Sequence, residues 1–242
     1  MDEARSSWLI ELERCDSTNT WALEQLSRLN HGDVVFTRNQ TAGRGQSDRV
    51  WVSSPGVLTA SFVLELLSAQ LSGFSLIAGL AVIHAIETLV IEQRGRLRLK
   101  WTNDVFIEGR KLAGILCESR VRSDQAQMIV GIGINCEGVP ESVQGAISLE
   151  QISASVPGQQ ALLEQLRYCL LQLCDRALVE VLPEIRVRDV LLGTEIVFES
   201  AGEQVAGQGA GIDEEGRLLI RFADSVKAYR SGRVISLTSS PG

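Results

Sequence analysis

The chain is poor in the residues on which most hydrolytic sites depend. Its 242 residues include only two histidines, His31 and His84. A nucleophile–histidine–acid triad needs an imidazole that is free to exchange a proton. His84 lies within an apolar segment, and His31 stands between Asn30 and Gly32, as is typical of a turn. The sequence therefore gives little support to a hydrolytic triad.

The cysteines lack the spacing of a disulfide framework or a zinc site. There are five of them, an odd number, and none forms a Cys-x-x-Cys pair: Cys15, Cys117, Cys136, Cys169 and Cys174. Both kinds of framework usually show paired spacing. We therefore expect free thiols in a reducing, cytoplasmic environment, and core packing rather than nucleophilic roles for Cys117 and Cys136.

An excess of positive charge and a long hydrophobic run are also missing. The net charge is -7, with 45% hydrophobic and 22% charged residues. Binding to duplex DNA needs clustered Lys and Arg, so no DNA partner is expected. The most apolar stretch, Leu76 to Ile91, contains His84 and Glu87 and is too short to cross a bilayer. The N-terminus has no signal-peptide pattern, so no membrane association is expected.

Hydrophobic periodicity predicts an α+β fold. Helices are expected at Thr20 to Leu29, Phe74 to Gln93 and Gln159 to Leu182, the last ending at Pro183. Strands are expected at Val34 to Thr37, Val57 to Leu64, Arg96 to Trp101, Val105 to Ile107, Lys111 to Glu118 and Met128 to Asn135. Because short turns such as Glu108-Gly109 join the strands, we expect a mixed or antiparallel sheet rather than a doubly wound parallel one.

The pattern changes after Arg188. Five short strands and no helix follow within about fifty residues, which is typical of a small β-barrel. They are expected at Glu195 to Phe198, Gln204 to Ile212, Arg217 to Phe222, Val226 to Tyr229 and Val234 to Leu237. We predict a large domain over residues 1–188 and a small β-barrel domain over residues 189–242.

One polar, glycine-rich segment runs from Gln40 to Gln46 and is followed by Arg49 and Trp51. Its glycines let backbone amides approach an anion, and its guanidinium groups add positive charge. It is not a Walker loop, because no Gly-Lys-Ser/Thr follows at the required spacing. By itself the segment is more typical of a mobile surface loop.

Two further segments carry groups suited to a binding site. In the first, Lys100 to Asp104 precedes the expected hairpin, and the turn returns Lys111 toward Asn103 and Asp104. In the second, Gly131 and Gly133 share one face of an apolar strand. They leave room for a flat group or mark close backbone packing.

Taken together, these segments resemble the biotin–protein ligase family. Matching pieces follow one another in order over nearly the whole chain: Asp16 to Asn19, Gln40 to Trp51, Lys100 to Glu118, Val130 to Asn135, Gly207, Gly211 to Asp213 and Gly216. The resemblance implies a catalytic domain like that of class II aminoacyl-tRNA synthetases and a C-terminal Src-homology-3-like barrel. Since the match begins at Asp16, neither the N-terminal DNA-binding domain of some members nor a repressor role is expected.

The resemblance also implies substrates and a partner. Biotin and ATP, with Mg²⁺, would give biotinyl-5'-AMP, and a lysine of a biotin carboxyl carrier protein, such as that of acetyl-CoA carboxylase, would then receive the biotin. The family contains both monomers and homodimers, and this choice stays open.

Site residues follow by resemblance. Lys111 would lie between the biotin carboxylate and the α-phosphate, with Arg44 covering both as the second catalytic residue. Biotin would contact Ser17, Thr18, Asn19, Gln40, Gly43, Arg44, Gly45, Gln46, Lys111, Gly114 and Gly131. The nucleotide would contact Arg49, Trp51, Asn103, Asp104, Lys111 and Asn135. No protein metal ligand is expected.

The chain departs from the family pattern at three positions. Gln46 stands where the loop commonly has another Arg, Asp48 where it often has Gly, and Thr102 where Pro is usual. A role that needs positive charge is not transferred to Gln46, and the loss of this cation is expected to weaken retention of the adenylate.

Two other functions compete with this interpretation. A lipoate–protein ligase or octanoyltransferase has a related catalytic domain, but the Gly-Arg-Gly loop with Arg49 and Trp51, and the C-terminal barrel, argue against it. A non-catalytic biotin or nucleotide sensor would need no lysine at position 111.

An acceptor domain is expected to dock by pairing with an edge strand.

Overall fold

The computed structural model describes residues 3–5, 7–47, 49–139 and 143–238. Eight strands form one mixed sheet: β1 (Glu3–Arg5), β2 (Leu9–Leu12), β3 (Val34–Thr37), β4 (Val57–Leu67), β5 (Arg98–Lys100), β6 (Asp104–Ile107), β7 (Arg110–Arg122) and β8 (Gln125–Asn135). Their order is β1-β2-β3-β4-β8-β7-β6-β5. Only β2 and β3 are parallel among these strands. The expected α+β class is confirmed.

Four α-helices accompany the sheet: α1 (Thr18–Glu24), α2 (Phe74–Leu89), α3 (Gln159–Leu173) and α4 (Leu178–Arg188). Helix α2 is apolar on nearly every side, which is typical of a helix in the centre of a core. It packs against β7 and against α3 and α4. The helix expected from Phe74 to Gln93 is confirmed, although α2 itself ends at Leu89 and a 3-10 turn (Ile91–Gln93) follows. No helix in the described residues has the length and apolarity needed to span a membrane.

The helix predicted from Gln159 to Leu182 is wrong as a single element. The structure breaks it between α3 and α4, and Pro183 lies inside α4 instead of ending a helix. Proline removes the hydrogen bond to the carbonyl of Val179, four residues earlier. Since Val179 is exposed, water can bind that carbonyl. The first helix is also shorter than expected, because a 3-10 turn (Leu26–Arg28) follows it.

Five C-terminal strands form a second, antiparallel sheet: β9 (Glu195–Ser200), β10 (Glu203–Ile212), β11 (Leu218–Arg221), β12 (Val226–Tyr229) and β13 (Arg233–Thr238). Their order is β12-β11-β10-β9-β13, so the last strand pairs with the first. The expected all-β C-terminal segment is confirmed, whereas the domain boundary near Arg188 stays a prediction. Trp101 joins the two sheets by donating from Nε1 to the carbonyl of Gly216 at 2.9 Å.

A buried carboxylate lies where the chain passes from α4 into the second sheet. Asp189 is 9% exposed, and its Oδ1 accepts a hydrogen bond from the amide of Leu191. Its Oδ2 is buried without a hydrogen-bond partner in the described residues. Burial raises the pKa of Asp189 to about 6, against the opposing effect of the Leu191 amide.

We expect Asp189→Asn to change how stability depends on pH. Because the pKa of Asp189 is higher in the folded state, the folded protein binds the proton more tightly, and this group makes stability fall as pH rises from about 4 to about 6. The full difference is about 3 kcal/mol at most. Urea unfolding of both proteins between pH 4 and 7 should show the variant gaining stability relative to wild type as pH rises. A difference that does not vary with pH would contradict this assignment.

Candidate functional site

One cavity of about 130 Å³ opens on the face of the large sheet that is covered by the start of α1 and the glycine-rich loop. It brings together most of the site residues expected from the sequence: Ser17, Thr18, Asn19, Gln40, Arg44, Gly45, Gln46, Arg49, Trp51, Asn103, Lys111, Gly114 and Gly131. Three expected residues do not line the cavity. Gly43 packs beneath Trp51, Asp104 pairs with Lys111, and Asn135 donates to the Lys111 carbonyl at 3.3 Å.

Glycines form the floor of the cavity. In the register of β4, β8 and β7, Gly133 lies beside Gly114, and Gly131 lies one row further along the same face. A Cβ at Gly131 would lie 2.4 Å from Asn19 Oδ1, and one at Gly133 would lie 2.2 Å from the Trp51 ring. A larger residue at either position would therefore displace a side chain of the site.

The indole of Trp51 occupies the space above Gly114 and Gly133. Its buried Nε1 donates to no group in the described part of the chain. A buried donor without a partner is uncommon and is suited to a ligand. Cavities that hold small molecules usually exceed roughly 300 Å³. At about 130 Å³ the present cavity is smaller than this, and the Trp51 indole fills part of the space over Gly114 and Gly133.

Lys111 and Asp104 form a partly buried ion pair. The Nζ and Oδ1 atoms are 2.6 Å apart, with the lysine side chain 27% and the aspartate side chain 14% exposed. Lys111 Nζ also lies 5.6 Å from the centre of the Trp51 ring. The turn at Glu108 and Gly109, both with positive φ, pairs Lys111 with Phe106 of β6, and the lysine side chain reaches Asp104 at the start of that strand. The expected approach of Lys111 to Asp104 is therefore present.

Positive charge accumulates around this pair. Burial lowers the pKa of Lys100; Asp104 raises it, while Lys111 and Arg49 lower it further. Two other cations and one carboxylate thus act on the Lys100 ammonium group. Such an imbalance favours an anion with several charges. Lys100 belongs to the segment Lys100 to Asp104 that the sequence singled out, but it was not among the expected site residues, so its part in this cluster was missed.

The glycine-rich loop is held over the sheet by its first arginine. Arg44 donates to both carboxylate oxygens of Glu118, with NH1–Oε1 at 3.0 Å and NH2–Oε2 at 2.7 Å. Arg49 donates from Nε to the carbonyl of Gln46 at 3.1 Å. Gln46 lines the cavity as a neutral residue. Asp48 lies outside the described residues.

Neutral polar groups line the opposite end of the cavity. Ser17 caps α1 by accepting from the amide of Thr20, which fixes the start of the helix at the cavity. The Thr18 amide donates to Gln40 Oε1 at 3.0 Å. Ser61, wholly buried on β4, lies within hydrogen-bond distance of both Thr18 and Asn19. Ser61 and Glu118 hold residues of the cavity wall from behind, and neither was among the expected site residues.

The thiols near the site are poor nucleophiles. Burial is the main cause that raises the pKa of Cys117 and of Cys136 to about 12. Thiols with such values stay protonated near neutral pH, so they react slowly. This agrees with packing roles for both residues.

Comparison with known proteins identifies relatives over nearly the full chain. The model of the biotin/lipoate A/B protein ligase family matches residues 11–135. The bifunctional ligase/repressor BirA of Escherichia coli K12 is 31% identical over 236 residues, which cover 93% of this chain and 72% of that protein. The biotin–[acetyl-CoA-carboxylase] ligase of Mycobacterium tuberculosis H37Rv is 31% identical over 216 residues, covering 85% of this chain and 79% of that protein.

A solved structure shares the fold. The biotin protein ligase from Aquifex aeolicus, determined in complex with biotin and ATP, aligns with a TM-score of 0.79 at 28% identity. The alignment covers 97% of this chain and 100% of that chain. The similarity thus includes both sheets.

Proposed function

The chain belongs to the biotin/lipoate A/B protein ligase family, and from this membership we propose that it is an ATP-dependent biotin–protein ligase. It activates biotin as biotinyl-5'-AMP and transfers the biotinyl group to a lysine of a biotin carboxyl carrier domain such as that of acetyl-CoA carboxylase. The observation that carries the proposal is the layout of one cavity. Lys111 and Arg44 line it together with the neutral polar residues Thr18 and Gln40.

The first step is governed by charge. A carboxylate oxygen of biotin attacks the α-phosphorus of ATP, and pyrophosphate leaves, so two anions must approach each other. A unit charge pair 4 Å apart is worth about 4 kcal/mol at an effective dielectric near 20. We assign Lys111 to the carboxylate and α-phosphate, where it stabilises the charge that develops. Arg49 and Lys100 provide further positive charge for the triphosphate.

The second step uses the same ammonium group. The acceptor lysine, as a free amine, attacks the carbonyl carbon of biotinyl-5'-AMP, AMP leaves with the bonding electron pair, and the amine loses a proton. Lys111 stabilises the departing phosphate. We assign Arg44, with Gly43 and Gly45, to a lid that covers the intermediate and excludes water.

The other site residues are assigned either to biotin or to the nucleotide. The head of biotin is assigned to the end formed by Ser17, Thr18, Asn19 and Gln40, with Gly45, Gln46, Gly114 and Gly131 beside its ring and tail. The nucleotide is assigned to Arg49, Trp51, Asn103, Asp104 and Asn135. No cluster of three or more His, Cys, Asp or Glu side chains suited to a metal occurs in the described residues. Mg²⁺ is therefore assigned to the nucleotide, as part of the MgATP substrate, on phosphate oxygens and water.

Polar groups at the head end favour biotin over lipoate or octanoate. A cyclic urea presents N–H donors and a carbonyl acceptor, whereas lipoyl and octanoyl tails present neither. Those tails would leave the hydroxyl oxygen of Thr18 and one N–H of Gln40 without a ligand partner, which carries an unfavourable free energy of about 1–3 kcal/mol for each group.

Pyrophosphate release with each acid tests the proposal. With MgATP and the purified chain, we expect release with biotin and little with lipoate or octanoate. Adding an isolated biotin carboxyl carrier domain should attach one biotinyl group to a single lysine, as read by mass spectrometry. Release that prefers lipoate would overturn the assignment to biotin, and binding of biotin without pyrophosphate release would identify a sensor.

A further inference from the structure

A continuous hydrogen-bonded chain connects the glycine-rich loop to the head end of the cavity. It begins at Glu118, whose carboxylate accepts from Arg44 and, through Oε2, from Asn19 Nδ2 at 2.9 Å. Asn19 Oδ1 lies 2.6 Å from Ser61 Oγ, and Ser61 Oγ lies 2.7 Å from Thr18 Oγ1. Asn19 and Thr18 are each 3% exposed, and Ser61 is wholly buried.

The carboxylate determines which way the Asn19 amide faces. A carboxylate accepts hydrogen bonds and cannot donate them, so the group that faces Glu118 must be the NH₂ of Asn19. The same NH₂ also donates to the carbonyl of Leu116 at 3.1 Å. Both acceptors therefore leave Asn19 Oδ1 facing Ser61.

The orientation of Asn19 in turn determines where the hydroxyl protons of Ser61 and Thr18 point. Ser61 has one proton, and the carbonyl oxygen of Asn19 cannot donate, so the Ser61 hydroxyl donates to Asn19. The Ser61–Thr18 bond, 2.7 Å long, must then be donated by Thr18, in preference to the more distant acceptor Gln40 Oε1, which lies 3.4 Å from Thr18 Oγ1. With its proton directed into the protein, Thr18 Oγ1 is left with free lone pairs and acts as an acceptor at the cavity wall.

Gln40 places a hydrogen-bond donor beside this acceptor. Its Oε1 accepts from the Thr18 amide, and its Nε2 donates to Ser53 Oγ at 3.1 Å. An amide NH₂ has two hydrogens, so one N–H is left for a ligand. The head end thus presents one acceptor and one donor, which matches an N–H and the carbonyl of a cyclic urea.

We propose that Glu118 is a specificity-determining positioning residue: its carboxylate, acting through Asn19 and Ser61, sets Thr18 as an acceptor for a ureido N–H of biotin. The inference rests on the proposed function for the identity of the ligand. Glu118 touches neither reacting atom in this scheme. Its effect reaches the ligand through three buried side chains.

The test compares binding of biotin with that of biotin methylated on one ureido nitrogen, prepared at each nitrogen in turn. Titration calorimetry without ATP gives both dissociation constants. In Glu118→Gln, the new amide can present its own NH₂ to Asn19, so only the Leu116 carbonyl then favours the present orientation of Asn19, and Thr18 is held less firmly as an acceptor. We expect biotin to bind about tenfold more weakly, as for one lost hydrogen bond, while the analogue that lacks the relevant N–H changes less than about twofold.

Two further variants separate this role from others. Ser61→Ala interrupts the hydrogen-bonded series beyond Glu118 and leaves the contacts of Arg44 in place. It should lower the preference for biotin over the methylated analogue, as Glu118→Gln does. Glu65→Gln changes an exposed glutamate on β4 and should leave both dissociation constants unchanged. Thermal unfolding of each variant verifies that it is folded.

The ratio of the two dissociation constants decides the outcome. If Glu118 served only to hold Arg44, Glu118→Gln would weaken both ligands equally, and an unchanged ratio would overturn this inference while leaving the proposed function intact. Failure of the wild-type chain to bind biotin at all would overturn both. A smaller preference for biotin in both Glu118→Gln and Ser61→Ala supports the inference.

Discussion

Replacing Lys111 with alanine is expected to lower the rate of biotin-dependent pyrophosphate release by about three orders of magnitude. The interaction of about 4 kcal/mol between one ammonium group and a developing charge about 4 Å away corresponds to that factor. Lys111 is suited to the task because it is only 27% exposed and lies on the wall of the cavity. Single-turnover measurement with saturating biotin and MgATP would isolate the chemical step.

Controls for this prediction come from the same chain. Lys227→Ala removes an exposed lysine of the C-terminal sheet and should leave the rate unchanged. Because Lys111→Ala also leaves Asp104 without its cation, thermal unfolding should be measured for both variants. If a folded Lys111→Ala protein keeps more than about a tenth of the wild-type rate, the lysine contributes less than about 1.4 kcal/mol to the transition state and the assigned role is wrong.

The elements predicted best are those with clear turn signals at both ends. The bounds of β3 and β12 agree with the expected strands because Gly, Asp, Asn or Ser stands within two residues of both ends of each strand. The break between α3 and α4 was missed because apolar residues continue at helical spacing across it, and residues 175–177 contain no Gly or Pro. Strand β2 was missed because its four residues show no clear alternation, and its parallel pairing with β3 depends on tertiary structure.

The candidate site was predictable where its parts are close in sequence. The loop from Gln40 to Trp51 and the hairpin carrying Lys111 can each be identified from one segment. Ser61 and Glu118 are different, because they meet Asn19 from 42 and 99 positions away. Their alignment depends on the register of β4, β8 and β7, which hydrophobic pattern alone does not determine.

A second large effect is expected on stability, from a nearly buried ion pair between α2 and the end of α4. Arg188 donates to both oxygens of Glu87, with NH1–Oε1 at 2.7 Å and NH2–Oε2 at 3.0 Å. The side chains are 13% and 8% exposed. Glu87 Oε1 also accepts from the amide of Gly95 at 2.8 Å. The carboxylate therefore ties together α2, α4 and the turn before β5.

Glu87→Ala is expected to lower the free energy of unfolding by about 3–5 kcal/mol, because it leaves the Arg188 guanidinium poorly hydrated and without its main partner. Urea unfolding followed by circular dichroism would measure the loss. Glu180→Ala, which breaks the half-exposed Arg176–Glu180 pair at the start of α4, should change stability by less than about 0.5 kcal/mol. Replacing Glu87 and Arg188 together by methionine should restore much of the loss, since neither charge is then left unpaired. A loss below about 1 kcal/mol in Glu87→Ala would show that water or Glu184 compensates Arg188, and that this pair does not hold the helices together.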